Sequence, residues 1–148
     1  MDLGKLENFK RYYGFPLDSV IHLSSPECER IKCVFYSKYN VNCDKELFQR
    51  IIKTATHLPV DAEKIGSAKD NIKLQEIFFS IKIIPQQHVY ITWDSFNDID
   101  VMPFDDLCKY FDDIWYPSVD DVGVFDDSFS WFMIITHYGE ILYCMNGI

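Results

Sequence analysis

The stretch FSWFMIITHYGEILYCM, from Phe129 to Met145, decides the fold. Phe129 to Thr136 and Ile141 to Met145 are dense in β-branched and aromatic residues, which suit a pleated sheet surface, and they predict two strands. Between them stand His137, Tyr138 and Gly139, the length of a three-residue hairpin loop, with Gly139 suited to its left-handed position. Both runs are apolar at successive positions instead of at alternate ones. A strand with one wet face alternates, whereas a strand covered on both faces does not. The hairpin is therefore expected mid-sheet, with helices over at least one side.

Working outward from it, Val122 to Phe125 predicts a short strand bracketed by Asp120-Asp121 and Asp126-Asp127. A helix is predicted from Pro103, with Phe104, Leu107, Cys108, Phe111 and Trp115 as its buried face. His88 to Trp93 is a further strand. The first 85 residues read as helices. Leu3, Leu6, Phe9 and Tyr13 form one stripe, ended by Gly14 and Pro16. Ser25-Pro26 starts a second helix with Cys28, Ile31, Phe35 and Tyr39 on one side. Asp44 caps a third, whose inward face is Leu47, Phe48, Ile51, Ile52 and Ala55, and which Pro59 ends. Leu74, Ile77, Phe78 and Ile81 mark a fourth, ending before Pro85. No repeat or linker divides the chain. The expectation is one α+β domain over 1–148, in which N-terminal helices (1–85) pack on a small antiparallel C-terminal sheet (86–148) with one inserted helix (103–115).

Composition agrees with a folded chain. At 148 residues, 48% hydrophobic and 16% aromatic, it can bury a large core, which excludes wholesale disorder. Its apolar runs are far shorter than the roughly 18 residues a membrane helix needs. The N-terminal residues lack a signal-peptide pattern, and five irregularly spaced cysteines read as reduced thiols, so a cytoplasmic location is expected.

The net charge of −9 is segregated. Residues 1–82 carry 13 Lys/Arg against 11 Asp/Glu, whereas residues 83–148 carry Lys109 alone against 12 acids. Eleven of those acids lie between Asp94 and Asp127. Such a field repels nucleic acid and anionic lipid and attracts basic proteins.

Motifs for chemistry are sparse. Cys28, Cys33 and Cys43 lack the knuckle spacing and nearby histidines of a zinc site. The run from Asp94 through Asp98 to Asp100 lacks the central Gly and closing Glu of a calcium loop. No Gly-rich phosphate loop or nucleophile elbow is present, and His22, His57, His88 and His137 are scattered. The expectation is a chain without metal or cofactor and without catalytic residues.

Acids and aromatics, by contrast, coincide. On the helix from Pro103, Asp105, Asp106, Lys109, Tyr110, Asp112 and Asp113 form the polar face. Asp112 and Asp113 would sit in its last turn, at the negative end of the helix dipole. Asp106, Tyr110 and Asp113 fall on one line, two carboxylates flanking an exposed tyrosine, a composition suited to Arg or Lys. Trp115 and Tyr116 lead into Asp120-Asp121 and Asp126-Asp127. The expected partner-binding residues are Asp98, Asp100, Asp105, Asp106, Tyr110, Asp112, Asp113, Tyr116, Asp120, Asp121, Asp126 and Asp127.

The segment from Trp115 through Val122-Gly-Val-Phe125 and Trp131 to His137-Tyr-Gly-Glu140 resembles the C-terminal part of small bacterial immunity-type proteins, the antidotes encoded beside polymorphic or contact-dependent toxins. That resemblance implies a non-enzymatic inhibitor that binds one cognate toxin domain in the cytoplasm, often a basic nuclease. A DNA-mimic or regulatory module for a nucleic-acid-binding protein is the alternative, and a small enzyme the third.

Overall fold

Gly139 adopts φ +86° and closes the expected hairpin, with the Gly139 N–H donating to Thr136 O at 2.9 Å. Its strands are β6 (Trp131–Ile135) and β7 (Ile141–Met145), in register from Trp131↔Met145 to Ile135↔Ile141. The computed structural model describes residues 1–67, 69–93 and 95–145. Asp94, the start of the acidic run, lies outside the described residues.

In chain order the elements are α1 (Leu3–Tyr13), β1 (Ile21–His22), α2 (Ser25–Tyr39), α3 (Asp44–Thr54), β2 (Thr56–Leu58), α4 (Leu74–Ser80), β3 (His88–Trp93), β4 (Ser95–Pro103), α5 (Phe104–Lys109), α6 (Phe111–Ile114), β5 (Val122–Phe125), β6 and β7. A short 3-10 turn, Ala62–Lys64, follows β2. The strands form one antiparallel sheet in the order β1-β4-β3-β5-β6-β7-β2. The fold is α+β, as expected.

Period-2 alternation sends side chains to two separate cores. Val89, Ile91, Met102, Val122, Val124, Trp131, Met133, Ile135 and Ile141 face the layer of α1, α4, α5 and α6. Tyr90, Phe96, Ile99, Phe125, Phe132, Ile134, Leu142 and Cys144 face α2 and α3. Every residue of β5 and β6 is buried, which is why neither strand alternates in hydropathy. At Gly123 a Cβ would stand 2.7 Å from the Thr92 methyl and closer still to the Phe132 ring. Glycine there lets the aromatic layer over β5 close onto the sheet.

Local signals explain most boundaries. Asp2 caps α1 by accepting from Lys5 N–H, and Gly14 ends it at φ +79°. Ser24 and Glu27 form a capping box that starts α2 one residue earlier than the Ser25 reading. Cys43, not Asp44, is the N-cap of α3. Ile52, expected inward, is exposed on that helix.

Three further differences bear on function. The sheet gains β1, β2 and β4, which makes it larger than expected. Phe129 is no strand residue but a left-handed turn position at φ +49°. The helix expected over 103–115 is two short helices, broken at Tyr110 (φ −115°, ψ 24°). Asp112 and Asp113 therefore lie in the first turn of α6, where negative charge is favourable, and not in a last turn.

Candidate protein-docking surface

α5 follows directly from β4, and Phe104 N–H donates to Gln87 O at 2.9 Å. The Phe104 ring packs edge-on against Phe78, with centroids 5.0 Å apart. After the break, Phe111 and Ile114 turn inward and Trp115 stacks on Phe111. The break itself seats Tyr110 between Phe9 (4.9 Å) and Tyr13 (5.3 Å). Tyr110 is thus 7% exposed, so the expected exposed tyrosine between Asp106 and Asp113 does not exist.

Much of the acidity turns out to be engaged by partners within the fold. Asp100 is buried, takes the Trp93 indole N–H at 2.7 Å and pairs with the Met1 ammonium. Asp120 pairs with the buried Lys5 and accepts from Tyr116 N–H at 2.7 Å. That Lys5 ammonium lies 3.6 Å from the centre of the Tyr116 ring, so this face of Tyr116 already holds a cation. Asp126 is buried and accepts from Gln86 N–H, Ser128 N–H and the Trp131 indole. Asp127 takes the Tyr90 hydroxyl, and Asp121 takes His137 N–H at 2.7 Å. Asp113 takes the Tyr13 hydroxyl at 2.8 Å. Burial, and then that carboxylate, raise the Tyr13 phenol well above its ordinary range.

Apart from Asp121, whose bond to His137 N–H is exposed, these aspartates satisfy buried or half-buried donors, and a buried donor left alone costs roughly 1–3 kcal/mol. Asp100 and Asp126 are closed to any partner by their burial. The acidic pairs at the two ends of β5 do not mark a sheet edge, because β5 lies between β3 and β6.

Asp121 and Asp127 are exposed as well, though each accepts a hydrogen bond within the fold, so the acids of this stretch that are both outward and unpaired are fewer. Asp105 and Asp112 are exposed and Asp106 partly so. Among the described residues their carboxylates have no hydrogen-bond or ion-pair partner. Beside Asp112, between the 3-10 turn and α6, lies a cleft of about 190 Å³ with Ala62, Ile65, Phe111 and Trp115 in its wall. Glu63 and Asp112 supply its carboxylates. Such a cleft suits a side chain with an apolar stem and a cationic head.

On the other side of α6, Tyr13 joins an aromatic group that reaches solvent. Tyr12 is 80% and Phe15 48% exposed, with ring centres 4.8 and 5.8 Å from that of Tyr13. The sequence reading missed Glu63, Tyr12 and Phe15. The signal for the last two was the aromatic run Tyr12-Tyr13-Gly14-Phe15, which was absorbed into the end of an amphipathic stripe.

No protein-family model, curated protein or solved structure matches the chain. Among the described residues no helix is long and apolar enough to cross a membrane.

Proposed function

We propose that this chain is an immunity-type protein that binds and neutralises a cognate basic toxin domain of the nuclease type. The observation that supports it best is the cleft between Glu63 and Asp112, an apolar-walled slot with two carboxylates beside the free acids of α5. An Arg or Lys from the toxin fills the slot, and Asp105 and Asp106 extend the field that steers the encounter. Tyr12 and Phe15 supply apolar contact area of the kind that concentrates binding energy. A polyanion mimic is the weaker reading, because Asp100 and Asp126 are buried and Asp113, Asp120, Asp121 and Asp127 each already accept a hydrogen bond within the fold.

The test is titration of the chain into the basic C-terminal domain of the toxin encoded beside it, with nuclease turnover as readout at rising NaCl. Stoichiometric inhibition that weakens with salt supports the proposal. Undiminished turnover at saturating chain rejects it.

A further inference from the structure

The acidic run of β4 meets a histidine that lies far from it in sequence. β1 pairs with β4 at Ile21↔Val101 and His22↔Asp100, so His22 and Asp100 are direct cross-strand neighbours. Asp98 lies two residues before Asp100 and therefore points to the same side of the strand. The three side chains converge as a result of this register. His22 Nδ1 is 3.1 Å from Asp100 Oδ1 and 3.7 Å from Asp98 Oδ1.

From this geometry we propose that His22, Asp98 and Asp100 form a binding site for a divalent first-row transition ion, zinc foremost. Zinc takes imidazole nitrogen and carboxylate oxygen at about 2.0–2.2 Å, so two ligands of a tetrahedral ion stand about 3.3–3.5 Å apart. The two separations from His22 Nδ1 bracket that value, and all three ligand atoms lie within 4.8 Å of one another. An imidazole among the ligands favours zinc and its neighbours over calcium or magnesium.

Two observations beyond the clustering support it. Asp98 Oδ1 is shut off from water yet has no hydrogen-bond partner, although half of its side chain is exposed. The Met1 ammonium stands 4.0 Å from that oxygen, near enough to offset part of its charge but too far to donate a hydrogen bond, and an ion between it and His22 would supply the direct contact it lacks. Asp100, in turn, is oriented by outer partners. The Trp93 indole N–H and the Met1 ammonium both hold Oδ2, which leaves Oδ1 turned to the imidazole. Metal-binding carboxylates are typically fixed by such hydrogen bonds. With His22 66% exposed, the ion has a route in and an open position on the solvent side. Its effect would be to clamp the two-residue edge strand β1 onto β4.

The experiment uses the full chain without an affinity tag, stripped with EDTA and carrying Cys33→Ser and Cys43→Ser to remove exposed thiols. Calorimetric titration with zinc chloride is expected to show saturable binding of one ion per chain, with a rise in thermal midpoint. His22→Gln and Asp98→Asn, each at an exposed or half-exposed position, should leave the circular dichroism of the metal-free chain unchanged. Each should weaken zinc binding by about tenfold or more. Absence of saturable binding below about 1 mM zinc would overturn the site, leaving the carboxylates to the Met1 ammonium. Stoichiometric binding that survives both substitutions would overturn it equally, by placing the ion elsewhere.

Discussion

The Trp131 indole donates its N–H to the Asp126 carboxylate at 2.9 Å, inside the protein. Oδ2 of the same aspartate takes Gln86 N–H, and Oδ1 takes Ser128 N–H. Asp126 thus joins the segment before β3, the β5–β6 turn and the core ring of β6. Replacing it by Ala strands the buried indole N–H and frees two half-buried amides, and should lower stability by about 2–4 kcal/mol. Trp131→Ala should cost about 3–5 kcal/mol through lost burial and the cavity left behind. Urea denaturation measures both. A loss under about 1 kcal/mol for either would contradict this placement.

Reading such a residue from sequence alone was not possible, and the reason is physical. The hairpin was legible because both faces of β6 and β7 are covered, which prints continuous apolar runs on the chain. β1 and β2 are two and three residues long, too short for any period. β4 was hidden because a bulge opposite Thr92 and Trp93 breaks its alternation and its polar residues read as loop. The helix break at Tyr110 follows from the pull of Phe9 and Tyr13, both on a distant helix. The aspartates misled for the same reason. Each was visible as a charge, but what it pairs with is set by the fold: Lys5 for Asp120 and Tyr13 for Asp113 are at least a hundred residues away, and even a nearer partner, Tyr90 for Asp127, lies on another element. A charge count cannot separate a carboxylate that satisfies a buried donor from one that waits for a partner.

Alkaline pH should destabilise the fold before it reaches the backbone. Burial, and then hydrogen bonds to Asp44 and Asp127, push the phenols of Tyr36 and Tyr90 up to about 12. Tyr13 and Tyr39 are raised as well, chiefly by burial. In the unfolded chain a phenol ionises near 10. Their contribution is therefore complete below about pH 10 and is lost as pH rises toward 12, because the unfolded state then binds fewer protons. The urea midpoint should fall steeply across that window, and Tyr36→Phe with Tyr90→Phe should flatten the fall. A midpoint constant from about pH 9 to 12 would count against these environments.

Thiol reactivity should sort the cysteines by position. All five are free, with Cys33 and Cys43 exposed, Cys28 and Cys144 buried and Cys108 between. Burial, with Asp105 adding to it, pushes the Cys108 thiol up to about 12. Burial raises Cys28 and Cys144 too. Since the thiolate is the reactive form, iodoacetamide at neutral pH should label Cys33 and Cys43 first. The other three should react only after unfolding, which mass spectrometry resolves site by site. Rapid native labelling of Cys144 would be incompatible with its place among the β6, β7 and α2 side chains.

The docking proposal separates the acids that hold the fold from those free to bind. Asp105 and Asp112 are exposed and unpaired among the described residues, so reversing them to Lys should leave the thermal midpoint within a few degrees, about 1 kcal/mol or less. The same double reversal should weaken the complex with the basic toxin domain by about 2–5 kcal/mol, since it puts like charge against a cationic partner. Association should slow most at low salt, where rim charges act at long range. Tyr12→Ala and Phe15→Ala should act instead on dissociation, through lost apolar contact. Asp126→Asn gives the contrast, with stability lowered and the affinity of the folded fraction kept. Reversal of Lys45 and Lys53, both exposed on α3 on the opposite side of the sheet, should leave binding unchanged. Surface plasmon resonance at two salt concentrations reads all of these. If the α3 reversal abolishes binding while Asp105→Lys with Asp112→Lys does not, the toxin docks on the other face and the cleft beside Asp112 is no anchor.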